Sequence, residues 1–171
     1  MSATDPARED IKAFMAEAST ALGTALPAPK DVFGFGGTNP VLTDKLLGLA
    51  IAGEKTATTS WPVPDPMHWG VGDLSVILDG RGRPGAVMRT TSLVTCLFRD
   101  VEEEFALAEA EGDYESYRTG HIWFYGQQKD GHLFGDDSTV LCERFEVIYP
   151  LKSGTPAPTA QQGVGVDKPA V

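Results

Sequence analysis

Cysteine and histidine are scarce in this chain of 171 residues. Two cysteines occur, Cys96 and Cys142, with no CxxC spacing and each inside an apolar, β-like run. They read as buried free thiols of a reducing compartment, which predicts a cytoplasmic location; a disulfide between neighbouring strands is the alternative. The three histidines, His68, His121 and His132, lie far apart without metal-ligand spacing, so no structural zinc or other metal is expected. No apolar run approaches the roughly 20 residues that span a bilayer, and the first ten residues lack a basic patch followed by an apolar stretch. Neither membrane insertion nor export is predicted. With no GxGxxG or Walker loop, no nucleotide cofactor is expected either. Basic residues are outnumbered, 14 against 24 acids, for a formal net charge of −10. Such a balance disfavours duplex DNA as a partner.

The acidic excess is local. Residues 100–120 hold eight acids against Arg118 alone, which leaves the other 150 residues close to balance, with 16 acids and 13 bases. A basic cleft elsewhere is therefore compatible with the composition. Hydrophobic residues make up 42% of the chain, enough for the core of one domain.

Periodicity and punctuation divide the chain into recognisable elements. Asp5 and Pro6 signal a helix start, and Ile11, Phe14, Met15, Ala18 and Leu22 repeat at helical spacing up to Gly23. "LPAPKDVFGFGGTNP" reads as a loop. Asn39 and Pro40 repeat the start signal, Leu42, Leu46, Leu49 and Ala50 make a buried stripe, and Gly53 closes the second helix. "LSVILDG" and "AVMRTTSLVTCLF" form a hairpin around "GRGRPG". Asp100 with Glu103 suggests a capping box for a third helix, and Asp113 a cap for a fourth through "YESYRTGHIWFYGQQ". "STVLCERFEVIYP" is the last strand. Residues 1–32 are predicted as an N-terminal helix and linker, 33–150 as the main domain, and 151–171 as a disordered tail rich in Pro, Gly and Ala. Mostly antiparallel strands with helices between them define an α+β domain.

The stretch "GEKTATTSW", Gly53 to Trp61, sets a lysine among hydroxyls where a helix gives way to a strand. It can be a solvated strand edge or the wall of a substrate cleft. Together with "GVGDLSVILDGRGRPGAVMRTTSLV", "FRDVEEEFALAEAEGDYESYRTGHIWF" and "VLCERFEVIYP", it resembles the ASCH domain family of the PUA-like superfamily. The resemblance spans about Phe33 to Pro150 and rests on the G-x-K-T-A-T and A-E-x-E-G-D elements. Ala110 stands where glycine is expected between two glutamates, and Tyr117 where tryptophan is usual before Arg118.

The resemblance implies a small PUA-like β-barrel of mostly antiparallel strands flanked by helices, with a cleft for single-stranded RNA or a pyrimidine nucleoside. Some relatives act as ribonucleases, an activity that in this chain would be metal-independent, and others as amidohydrolases that remove the acetyl group from acetylcytidine. In the latter branch the catalytic group falls on Lys55, Thr58 and Glu111, with Glu109 two positions away as the competing carboxylate. A ribonuclease is the first expectation, an acetylcytidine amidohydrolase the second, and a non-catalytic RNA-binding module the third.

The residues themselves add constraints. Thr58 needs a base to act as a nucleophile: either Lys55, if burial lowers its pKa toward neutrality, or the glutamate, which keeps Lys55 charged to orient substrate or stabilise an oxyanion while it carries the proton itself. In a regular strand Lys55 and Thr58 would face opposite ways; they converge only if Lys55 is still in the turn or a bulge intervenes. Thr56, Arg89, Arg118 and His121 are candidate substrate-binding groups, with Arg144 as further charge, and Trp61 or Trp69 is a candidate cleft wall for base stacking. Phe124 is expected in the core. Glu111 apart, the acidic segment is expected to be a solvated face.

Overall fold

The computed structural model describes residues 4–151 of the chain, so the tail expected at 151–171 lies almost wholly outside the described residues. Five strands form one sheet: β1 (Asp31–Phe33), β2 (Ala57–Ser60), β3 (Leu74–Leu78), β4 (Pro84–Leu97) and β5 (Thr139–Tyr149), in the order β1-β3-β4-β5-β2. The β1–β3 pair is parallel and the other three pairs are antiparallel. The α+β class holds, but the barrel does not close. β1 and β2 lie at opposite edges, and the free edge of β2 is occupied by other groups: Thr56 N–H donates to the Ala108 carbonyl at 2.8 Å and the Tyr125 hydroxyl to the Thr59 carbonyl at 2.7 Å.

Four helices cover the sheet: α1 (Glu9–Leu22), α2 (Pro40–Ala52), α3 (Glu103–Ala108) and α4 (Tyr114–Gly126). α1 packs Ile11, Met15 and Ala18 against Val76, Leu78 and Val87. α2 packs Leu46, Leu47 and Ala50 against Met88 and Phe145, so the two helices bury the two faces of the β3–β4 hairpin. At the far end of the sheet, α3 and α4 enclose Ala57, Val140 and Cys142 with Phe98, Phe105 and Tyr117. No helix among the described residues is long and apolar enough to cross a membrane.

The helix ends follow local chemistry with two exceptions. Asn39 caps α2 by accepting the Leu42 N–H at 3.2 Å, and Asp113 caps α4 by accepting the Ser116 N–H at 2.8 Å. Asp5 instead closes a turn ahead of α1, whose cap residue is Arg8. The capping box at Asp100 and Glu103 does not form, because residues 98–100 make a turn of 3₁₀ helix and α3 begins only at Glu103. β1, read from the sequence as loop, is three residues long, too short to show alternation.

Both thiols are free. Cys142 is buried, Cys96 half-buried, and their sulfurs lie 3.8 Å apart on adjacent strands.

Glu143 is a buried acid on β5 that accepts the Thr90 hydroxyl at 2.6 Å. The buried Trp69 indole N–H faces this carboxyl without reaching a hydrogen bond of normal geometry. Burial raises the Glu143 carboxyl above the ordinary glutamate range, against the smaller opposing effect of the Thr90 bond. The folded state then binds a proton more tightly than the unfolded chain, so this residue's contribution is fully present below the ordinary glutamate range and is lost as pH rises through the raised value. Glu143→Gln, which keeps the shape and sheds the charge, is expected to raise stability above that window and flatten its pH dependence. Urea denaturation between pH 4 and 8 measures it; an unchanged pH slope would show that Glu143 does not titrate differently on folding.

Candidate functional site

A cavity of about 380 Å³ opens over the edge of β2, between the Phe33–Gly37 loop, α2, the turn after α3, and α4. Its position follows from two backbone features. Gly53 adopts a left-handed conformation (φ 80°) that ends α2, and the Lys55 N–H turns back onto the Leu49 carbonyl at 3.1 Å, so Lys55 sits in the turn before β2. Ala110 is left-handed too (φ 57°), at a cost of about 1–2 kcal/mol for a residue with a Cβ. That conformation accounts for glycine being expected there, and it reverses the chain so that Glu109 and Glu111 both address Lys55.

Lys55 is 1% exposed and has three acceptors: the Glu109 carbonyl at 3.2 Å, Glu109 Oε2 at 3.2 Å and Glu111 Oε1 at 3.3 Å. Its ammonium also lies 5.0 Å from the centre of the Phe35 ring. Glu109 is as buried as the lysine, whereas the Glu111 side chain keeps 29% of its surface. The two carboxylates therefore have different surroundings. Glu109 belongs to an internal network, and Glu111 is the solvent-facing member.

The network continues through β2 and α4. Thr59 Oγ1 donates to Glu109 Oε1 at 2.5 Å, and since its single hydrogen is used there, the Tyr117 hydroxyl donates to Thr59 at 2.8 Å. Burial first, and the Glu109 carboxylate second, push the Tyr117 phenol well above its ordinary range, and burial does the same to Tyr125, so both stay neutral donors. Tyr117, His121 and Tyr125 recur every four residues and form the buried face of α4. His121 Nδ1 meets the Tyr117 carbonyl at 2.8 Å, and Nε2 lies 3.6 Å from Glu109 Oε2.

Of the residues singled out in the sequence, Lys55, Thr58, Glu111, Trp61 and His121 line the cavity. Lys55 precedes the strand, as convergence with Thr58 required. Thr58 is paired opposite Glu143, yet the cavity lies over the strand edge and Thr58 and Thr59 both reach it. The Thr58 hydroxyl has no hydrogen-bond partner among the described residues, in contrast to the fully engaged Thr59.

The others lie elsewhere. Thr56 gives its backbone to Ala108 and Phe145. Arg89 pairs with Glu146, Arg118 with Asp136, and Arg144 with Glu104, so no arginine lines the cavity among the described residues. Trp69 packs near Glu143. Sequence reasoning placed Phe124 in the core, but it lines the cavity, its ring 3.0 Å from where a Cβ on Gly37 would stand. It held Glu109 only as the competitor of Glu111 for one catalytic place, and gave no role to Thr59 or Tyr117. The i, i+4 spacing of Tyr117, His121 and Tyr125 was the available signal.

An α+β fold with a buried lysine held by two glutamates beside an aromatic-walled cavity defines the class. The ASCH domain family model matches residues 32–149, and the chain belongs to that family. Two solved structures share the fold with a TM-score of 0.70. The protein EF3133 of Enterococcus faecalis V583 is 24% identical, with 86% of this chain and 99% of that one covered. An ASCH domain from Lactobacillus crispatus JV V101 is 21% identical, with 83% and 96% covered. No curated protein matches the chain.

Proposed function

We propose that the cavity binds one pyrimidine nucleoside and that the protein hydrolyses an exocyclic amide of it, as in acetylcytidine. The observation that carries this function is the lining of the cavity: one lysine, two carboxylates and several aromatic rings, with no arginine. An RNA strand needs cations along its phosphates, and the arginines that were candidates are paired with acids outside the cavity. A neutral base with a planar face suits apolar walls of this size.

Lys55, Thr58 and Glu111 fill distinct roles. The ammonium of Lys55 is fixed by Glu109, so exchanging its outer partner Glu111 for a substrate carbonyl oxygen would polarise that carbonyl and stabilise the developing oxyanion. Glu111, released and solvent-facing, takes a proton from the attacking water. The unengaged Thr58 hydroxyl is available to the base or the carbonyl. The ribonuclease reading keeps support only from the family resemblance, and binding without catalysis requires the Lys55 cluster to be purely structural.

Purified protein with chelator present is to be incubated with acetylcytidine and, in parallel, with a short single-stranded RNA. Release of acetate and cytidine with the RNA intact is the expected result. RNA cleavage without deacetylation would reverse the assignment, and turnover of neither would leave a binding module.

A further inference from the structure

We propose that His121 is the proton donor to the leaving amine, acting through Nε2 while paired with Glu109; the role rests on the amide hydrolysis proposed above. A carbonyl oxygen only accepts, so the 2.8 Å contact from Nδ1 to the Tyr117 carbonyl places a hydrogen on Nδ1 in either charge state. Nε2 is then the atom that gains and loses a proton. It points to Glu109 Oε2 at 3.6 Å, the same oxygen that accepts from Lys55 at 3.2 Å. The ring is 10% exposed and lines the cavity, so a ligand can reach it.

The neighbouring groups leave this task to His121. Around it stand Glu109 after α3, Lys55 before β2 with its outer partner Glu111, and Tyr117 and Tyr125 on α4; Cys142 of β5 packs in the same cluster as Tyr117. The phenols and the thiol are held neutral by burial, and Lys55 is occupied by three acceptors.

In the reaction Glu111 takes one proton from water as the water oxygen bonds to the carbonyl carbon. His121 Nε2–H then gives its proton to the amide nitrogen as the C–N bond breaks. Carboxylic acid and amine leave, and the proton on Glu111 returns to the imidazole through solvent. One water is consumed and both side chains are restored.

The first test needs no variant: nitrogen-15 and proton NMR of the histidine rings of the full chain across a pH titration. The expected result is the Nδ1–H tautomer in neutral His121, as the Tyr117 carbonyl requires. The Nε2–H tautomer overturns the role. The second test is the turnover of His121→Asn. Its kcat for acetylcytidine is expected to fall with little change in KM and to lose the alkaline limb of the pH profile. Nitrophenyl acetate, whose leaving group departs unprotonated, should be affected far less; equal losses on both substrates overturn the donor role. The expected ring behaviour with no deacetylation by wild type would overturn the hydrolase reading and the donor role with it. Turnover with the wrong tautomer would overturn His121 alone.

Discussion

Replacing Lys55 by alanine is expected to reduce deacetylation by a factor on the order of 10² to 10³, the usual loss when one oxyanion donor is removed. It is also expected to cost about 3–5 kcal/mol of stability, because Glu109 would remain buried with its counter-ion gone. A lysine that is 1% exposed and bonded to two acids is a structural member too. Activity loss in the single variant is therefore ambiguous, and a double variant resolves it. Lys55→Met combined with Glu109→Gln removes both charges and keeps an acceptor for the Thr59 hydroxyl. Most of the stability should return in the double variant while activity stays absent. Urea denaturation and acetylcytidine turnover on wild type, Lys55→Met, Glu109→Gln and the double variant complete the cycle. A single variant as stable as wild type would mean that the pair contributes nothing, and retained turnover would remove Lys55 from the chemistry.

Thr58→Val and Thr59→Val should separate the two hydroxyls in opposite ways. Thr59→Val strips Glu109 Oε1 of its donor and leaves the Tyr117 hydroxyl without its acceptor. Both groups are buried, so the loss should be about 1–3 kcal/mol. Thr58→Val removes a hydroxyl with no partner among the described residues, and stability should change little. If Thr58 contacts the substrate, turnover falls in this variant with the thermal midpoint held. Should Thr59→Val be the stable but inactive one, the reacting hydroxyl would belong to the Glu109 network instead, and the roles assigned to Thr58 and Glu111 would pass to Thr59 and Glu109.

The contrast between these two residues shows how far sequence carries. The family motif ends at Thr58 and gives Thr59 no role, and alternation in a strand says only that the two face opposite ways. What separates them is the partner each meets, Glu109 for one and an open cavity for the other, and that partner comes from a segment 50 residues away. The same holds for the glutamates. Glu109 and Glu111 share a sequence context, and the left-handed backbone at Ala110 buries one and leaves the other half-exposed. The three arginines illustrate the opposite error. Each was a reasonable phosphate ligand from its charge, but each found an acid on a neighbouring segment.

Local signals determined much of the rest. Asn39 with Pro40, Gly53 and Asp113 mark helix ends because a cap satisfies groups within four residues, and the β3–β4 hairpin follows from two apolar runs around a glycine-rich turn. The family followed from two motifs, and Lys55 from the first of them. Whether the sheet closes, which carboxylate is buried, where His121 directs Nε2, and whether any arginine reaches the cavity were decided by the tertiary structure alone. Each depends on contacts between segments far apart in the chain, and burial of a charge has no signature in the residues beside it.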